Sequence, residues 1–335
     1  MKKTEQRMVE IMAKAAVQGA MRRQKVMPKQ KADLGQFKKK LWEQRYLQFM
    51  VLPGIIWMFI FNYIPMAGIV IAFKKYKITQ SIGEAPWVGL KYFKEFLGDS
   101  NFMNIMTNTL GISLLKLIIG FPLPIIFALL LNELRGKRFK KLTQTISYLP
   151  HFLSWVVLGG IMITWLSKEG IINDLLLALH IIKEPISFLG SPKYFWGIAL
   201  ISDIWKEMGW SAIIYLAAIA GVDQQMYEAA MIDGANKFQR IMAITLPCIT
   251  GTIAILLIIQ VANLLNSNFD QILVLKNQIN IDRSQVIDTY VYQMGMTMGK
   301  YSYATAVGLF KSVIALILLL TANKTSKKFL GRSLY

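Results

Sequence analysis

Six long apolar stretches, near residues 48–73, 106–131, 146–167, 194–220, 248–275 and 302–322, constrain this chain more than any other feature. Each is close to the roughly 20 residues that a helix needs to cross a bilayer. Inside hydrocarbon the backbone must satisfy its own hydrogen bonds, which a helix does within a single segment. Only 17% of the 335 residues are charged, against about a quarter in soluble proteins. The expected fold is an all-α integral membrane protein with six transmembrane helices. Its transmembrane domain covers 48–322, between a basic tail (1–47) and a short C-terminal tail (323–335). An even number of crossings leaves both termini on one side.

Charge says which side. The formal net charge is +19, which in a soluble chain would suggest nucleic acid. Here the basic residues flank apolar runs, so membrane orientation explains them better and no nucleic-acid partner is expected. The tail and the loops on its side hold 24 Lys and Arg, against 11 in the opposite loops. Both termini are therefore expected in the cytoplasm, with Lys74, Lys75 and Lys77 a local exception. Within the tail, Met8–Met21 can form a basic amphipathic helix on the inner leaflet, or the tail can simply set topology. The basic start lacks the short apolar stretch and cleavage site of a signal peptide. Cys248 is the one cysteine; at the edge of an apolar run it is expected to be a small packing residue. His180, in an amphipathic stretch at Ile171–Ile182, and His151 are expected to be surface residues rather than ligands.

The polar island 221–247 is expected to form a compact helical knuckle on the cytoplasmic side. Glu228 to Gly234 reads as a short helix whose alanines let another surface approach closely. Gly234 bends or breaks it, since glycine accepts backbone angles that other residues resist. Lys237 to Thr245 can start a second helix, and Pro247 falls where the next apolar segment begins.

Glu228, Ala229, Ala230, Asp233, Gly234, Ile244, Leu246 and Pro247 stand in register with the EAA loop of ABC-importer permeases, which this stretch closely resembles. The competing reading is an ordinary polar loop containing Glu-Ala-Ala. A looser resemblance to the sugar and oligosaccharide branch runs from about Phe49 to the C-terminus. It rests on Asp203-Ile-Trp-Lys-Glu-Met-Gly-Trp210, Phe269-Asp-Gln271 and Tyr301-Ser-Tyr-Ala-Thr-Ala-Val-Gly308. The resemblance implies the type I importer permease fold, with a core at about 104–322 and a coupling loop at 221–247. It also implies a second homologous permease subunit, two ABC ATPase subunits and an extracytoplasmic sugar-binding protein. ATP and Mg would be bound by the ATPase partners, and this chain would carry no cofactor.

The sequence agrees that energy must enter from elsewhere. No Gly-x-x-x-x-Gly-Lys-Ser/Thr is present, and Gly295-Met-Thr-Met-Gly-Lys300 is one residue too short for a P-loop. Two histidines and one cysteine make a catalytic metal site an unpromising expectation. No nucleophile motif appears, so no catalytic residue is assigned.

Ionisable groups in a membrane segment tend to face a cavity or a partner. Lys116, Asp203, Lys206, Glu207, Asp270 and Lys311 are such groups. Asp203 and Glu207 lie four apart on one helical face with Lys206 beside them, either as a polar wall for a hydroxyl-rich solute or as a neutralised network locking helices together. Asn263, Asn266 and Asp270 recur at three and four, as one polar stripe on the fifth segment. Amides offer both donor and acceptor to sugar hydroxyls, or to neighbouring helices. By resemblance to maltose-type importers, Asp203, Lys206, Glu207, Asn263 and Asn266 would line a sugar pocket, with Phe152 and Trp155 a weaker transfer. Trp165, Trp205 and Tyr215 join Trp155 as candidates for sugar stacking. A secondary transporter of a polar solute would more typically show inverted repeats, and a membrane-embedded enzyme would need a convergent catalytic set that only Asp203 and Glu207 begin to supply.

Overall fold

The computed structural model describes residues 42–134 and 136–330. The amphipathic stretch expected at Met8–Met21 lies outside them. Helices account for the fold, and among the described residues the single extended pairing is a bridge between Lys74 and Trp87. The chain divides into two units, one ending at Ala67 and one beginning at Gly68.

In the first unit, α1 (Arg45–Met58) continues through a wide π turn, Phe59–Tyr63, just ahead of Pro65. Phe49, Ile55, Trp57 and Phe61 are all exposed, the pattern of a helix made for an apolar solvent.

The second unit is a helical bundle. After α2 (Lys91–Leu97) come α3 (Phe102–Leu115) and α4 (Pro122–Glu133), joined by a π turn at Lys116–Gly120. Proline has no N–H and crowds the carbonyl four residues back. Widening the preceding turn accommodates it, and the same device recurs at Ile241–Thr245 ahead of Pro247. Next are α5 (Lys137–Tyr148), α6 (Trp155–Trp165), α7 (Ile171–Ala178) and α8 (Phe195–Ala220). Then follow α9 (Gln224–Ile232), α10 (Lys237–Arg240) and α11 (Leu246–Ala262). The last helices are α12 (Phe269–Leu275), α13 (Ile281–Ser284), α14 (Ile287–Tyr292) and α15 (Tyr301–Leu330).

Among the described residues, four helical stretches are long and apolar enough to cross a membrane: Arg45–Phe73, Phe102–Glu133, Lys237–Ala262 and Tyr301–Lys328. The pair Lys137–Phe152 and Trp155–Trp165, bent by 102°, makes five if it counts as one span. The remaining expected segment, 194–220, is α8. Its 26 residues rise about 39 Å, but Asp203, Lys206 and Glu207 lower its hydropathy.

Two expected spans are broken. The stretch 146–167 is not one helix: a 3-10 turn at Leu149–Phe152 leads to Ser154, whose hydroxyl accepts the Val157 amide and starts a new helix. The stretch 248–275 stops at Ala262, turns through 263–268 and restarts at Phe269. There Asn268 adopts a left-handed φ of 55°, a conformation asparagine tolerates better than most residues.

The core lies in layers. One apolar cluster gathers Ile112, Leu158, Phe195, Ala199, Ile272 and Leu275. A second, nearer the α8–α9 junction, gathers Ile125, Ala128, Ala212, Tyr215, Ile219 and Ile249. Lys116, Asp203 and Glu207 fall in sequence between these two, so a polar layer separates the apolar ones. At Gly209, a Cβ would run into the Ser147 backbone, so α5 lies directly against α8 at this layer. Cys248 is exposed rather than packed. His180 is exposed as expected.

The end of the bundle holding residues 98–105 is pinned by Asp99, which accepts hydrogen bonds from the Tyr290 hydroxyl at 2.6 Å and the Tyr303 hydroxyl at 3.3 Å. Burial pushes the Asp99 carboxyl up, but the Tyr290 hydroxyl, the Asn101 amide and the Tyr303 hydroxyl outweigh it and hold the group below the ordinary carboxylate value. Burial and the same carboxylate push the Tyr290 phenol far up. An acid depressed in the fold adds stability that is present above its unfolded pKa and lost as pH falls through the folded value. Tyr290→Phe should therefore cost about 1 kcal/mol at neutral pH, with the gap to wild type narrowing as the medium is acidified below about pH 4. Thermal melts in detergent at pH 7 and pH 3.5 read this directly; an equal gap at both would remove Asp99 from the explanation.

Candidate functional site

The polar layer surrounds a cavity of about 320 Å³ between α3–α4, α8 and α11. Asp203, Glu207, Trp210, Ser211 and Tyr215 of α8 face it, with Lys116 and Phe121 opposite and Gln260 on α11. Lys116 begins a π turn, which aims its side chain across the bundle. Its Nζ donates to Asp203 Oδ1 at 2.9 Å and to Gln271 Oε1 at 2.8 Å. Gln271 passes the chain on, donating to the Ala199 carbonyl and the Ser202 hydroxyl, each at 2.7 Å. Asn268 Nδ2 also donates to Asp203 Oδ1, at 3.2 Å. One carboxylate thus ties α3, α8 and the 263–268 break together.

Glu207 is the second acid on the wall. Its Oε2 lies 2.7 Å from His151 Nδ1, and the His151 ring stacks on Trp210 at 4.3 Å with 4° between the planes. Phe152 meets Trp210 edge-on at 5.7 Å and is 71% exposed. His151 is therefore part of the polar layer, which sequence position alone did not reveal.

Lys206 does not line the cavity as expected. It is 5% exposed and donates to the carbonyls of His151 at 2.6 Å and Pro150 at 3.4 Å. The break takes the His151 carbonyl out of the helical ladder, and the Lys206 ammonium satisfies it while sharing the Pro150 carbonyl with the Leu153 amide. Trp155 is only 8% exposed and packs in the apolar core, so it has no face to offer a sugar. The expected stripe Asn263, Asn266, Asp270 does not exist as a helical face, because α11 ends before it. Asn263 donates back to the Ile259 carbonyl at 3.1 Å, and Asn266 donates to Asn263 Oδ1 at 3.0 Å. These amides close a turn. Asp270 is exposed in the first turn of α12. Trp165 and Trp205 pack on each other at 5.9 Å, while Tyr215 does reach the cavity. Lys311 pairs with Asp288, away from the cavity.

At the end of α8 stands the elbow. Asp223 caps α9 by accepting the Gln225 amide at 3.0 Å. The Ala235 amide donates to the Ala230 carbonyl at 2.8 Å and the Gly234 amide to the Met231 carbonyl at 3.1 Å, the double closure typical of a glycine-ended helix. Gly234 has a φ of 78°. Asn236 and Gln239 then form a reciprocal capping box that starts α10. The inward side is fixed: Ala230 and Leu246 pack on the apolar cluster containing Ile244, the Tyr227 hydroxyl bonds to the Thr245 hydroxyl at 2.9 Å, and Lys237 pairs with Glu133 at 3.5 Å. The outward side is bare: Glu228, Ala229, Asp233, Gly234 and Pro247 are exposed, and Ile232 is 87% exposed. Small and apolar groups on a rigid, outward-facing turn are what a protein partner requires.

The chain resembles known proteins in sequence and in fold. Residues 120–328 match the family described as binding-protein-dependent transport system inner membrane component. The chain is 44% identical over 290 residues to protein LplB of Bacillus subtilis (strain 168), covering 86% of this chain and 91% of LplB. It is 43% identical over 297 residues to the polygalacturonan/rhamnogalacturonan transport system permease protein YteP of the same organism, covering 88% and 92%. A chain of a bacterial ABC transporter involved in the import of the acidic polysaccharide alginate superposes with a TM-score of 0.81 at 39% identity, covering 88% of this chain and 99% of that one. A bacterial alginate ABC transporter in complex with alginate pentasaccharide-bound periplasmic protein gives 0.79 at 40% identity, covering 87% and 96%.

Proposed function

Because this chain belongs to the family of binding-protein-dependent transport system inner membrane components, we propose that it crosses the membrane six times, termini inside, as one half of the pore of an ATP-driven carbohydrate importer. It is a membrane transport subunit and not an enzyme. The other half is a second homologous permease, an extracytoplasmic binding protein delivers an oligosaccharide, and two ATPase subunits hold ATP and Mg. Residues 1–47 and 323–335 are cytoplasmic tails around the transmembrane domain 48–322. The names of relatives that carry polygalacturonan, rhamnogalacturonan or alginate support the substrate class.

The observation that carries the reading is the elbow, bare on one side and bolted on the other. An ATPase gripping Glu228, Ala229, Asp233 and Gly234, with Ala230 anchoring them from the inward side, pushes on a body that cannot yield locally. Ile244, Leu246 and Pro247 pass the push into α11, and Lys237 passes it to α4 through Glu133. Those helices, with α8, wall the cavity. Rigid levers of this kind convert closure of one body into rocking of another, provided that closure and solute binding favour the same state. Asp203, Glu207, Trp210 and the exposed Phe152 then form the solute path: carboxylates accept from hydroxyls and aromatic faces cover the C–H side of a sugar. Lys206, Trp155, Asn263 and Asn266 position that wall from behind or close the turn beside it, and Asp270 stays at its margin.

Reconstituted with its partner permease and ATPases, the chain should take up oligosaccharide only with ATP inside and loaded binding protein outside. Uptake by the chain alone under an ion gradient would instead mark a secondary transporter.

A further inference from the structure

A second pocket lies apart from the charged cavity, at the Asp99 end of the bundle. It holds about 260 Å³, with Asn101, Asn104, Asp282, Gln285, Tyr290 and Gln293 as its polar walls. The frame is rigid. Asn108 Nδ2 donates to the carbonyls of Asp282 at 2.9 Å and Gln285 at 3.1 Å. Gln285 donates to Gln293 Oε1 and accepts from Lys276, both at 3.0 Å, while Tyr290 is held by Asp99. Inside that frame, the Asn104 amide and the Asp282 carboxylate make no side-chain hydrogen bond among the described residues. The Gln293 amide nitrogen is left over in the same way. The Gln293 amide is fixed by the bond that its oxygen accepts from Gln285, and with Asn104 and Asp282 it leaves both donors and acceptors open to a ligand on walls set by the backbone contacts of Asn108.

The lining chemistry selects the ligand. Amides that both donate and accept suit a ring of hydroxyls, and Met294 and Met298 on the same wall offer contact to C–H faces. No lining side chain is basic and the Lys276 ammonium behind the wall is engaged by Gln285, so a carboxylate or phosphate would face Asp282 with no cation on the wall to bind it directly. We propose that this pocket is an accessory saccharide subsite, taking one uncharged sugar residue of the transported chain at the extracytoplasmic mouth. It rests on the carbohydrate reading above and on the orientation that puts residues 276–301 outside.

The test uses the assembled importer in lipid nanodiscs, without binding protein, titrated with maltotriose and separately with trigalacturonate. Maltotriose should bind and should weaken about tenfold in Asn104→Ala, whereas Lys168→Ala, at an exposed loop position away from both cavities, should leave binding unchanged; trigalacturonate should be the poorer ligand. If Asn104→Ala does not assemble, Met298→Trp, at a half-exposed lining side chain, fills the pocket instead and is read the same way. Absence of maltotriose binding overturns the subsite, as does binding lost in Lys168→Ala or kept in full in Asn104→Ala, or trigalacturonate binding as tightly. Uptake with binding protein restored is scored separately. Uptake without pocket binding removes the subsite alone, whereas no uptake of any saccharide removes the import reading.

Discussion

Replacing Gly234 with valine should abolish ATP-driven uptake while the chain still inserts and assembles. At a φ of 78° a β-branched side chain is strained by about 1–3 kcal/mol. An added Cβ meets nothing within 4 Å, so the strain is in the backbone and not in packing. The backbone escapes by rotating, which breaks the paired closure on Met231 and Ala230 and swings α10 away from α9. The bolted contacts at Tyr227–Thr245 and Lys237–Glu133 keep the bundle folded, but the outward face no longer fits its partner. Gly234→Asn provides the control, since asparagine visits left-handed angles at lower cost; it should retain a substantial share of uptake. Normal uptake by the valine variant, at equal amounts in the membrane, would contradict the role given to the elbow.

Lys116→Leu should be the most destabilising single change in the polar layer. It strips Asp203 of its ammonium partner and leaves Gln271 Oε1 without a donor. Breaking a buried pair from one side costs about 3–5 kcal/mol, whereas replacing both partners with apolar groups can be close to neutral. The double variant Lys116→Leu with Asp203→Leu should accordingly recover most of the loss in a denaturation midpoint measured in detergent. It should not recover transport, because the cavity wall has lost its carboxylate. If Lys116→Leu alone proves as stable as wild type, the pair does not hold α3 to α8.

These two sites differ in how far the sequence revealed them. The elbow is local: Asp223, Gly234, Asn236 and Gln239 are each a cap or a turn former, and their spacing writes helix–glycine–helix without help from the rest of the chain. The polar layer is not local. Lys116, Asp203 and Glu207 stand out as charges in apolar runs, yet which of them meet depends on how helices distant in sequence pack. Gln271 and Asn268 complete the network from a segment that hydropathy reads as continuous helix. The breaks were hidden for the same reason. Apolar content continues across Ser154 and across 263–268, so average hydropathy does not register a capping serine or a left-handed asparagine. Once the breaks are present, Lys206 turns to the freed His151 carbonyl, Trp155 falls into the core, and Asn263 and Asn266 become turn residues. His151 gained its place from tertiary contact with Glu207 and Trp210, for which a lone histidine beside a proline gives no signal.

In the proposed importer the elbow faces the cytoplasm and is covered there by an ATPase. The most direct measurement is labelling of Ile232→Cys by a membrane-impermeant thiol reagent, in a Cys248→Ser background because Cys248 is exposed. The cysteine should be silent in intact cells, reactive in inside-out vesicles stripped of ATPase, and protected again when the ATPase subunits are added back. Labelling from outside intact cells, or no protection by the ATPase, would contradict the account.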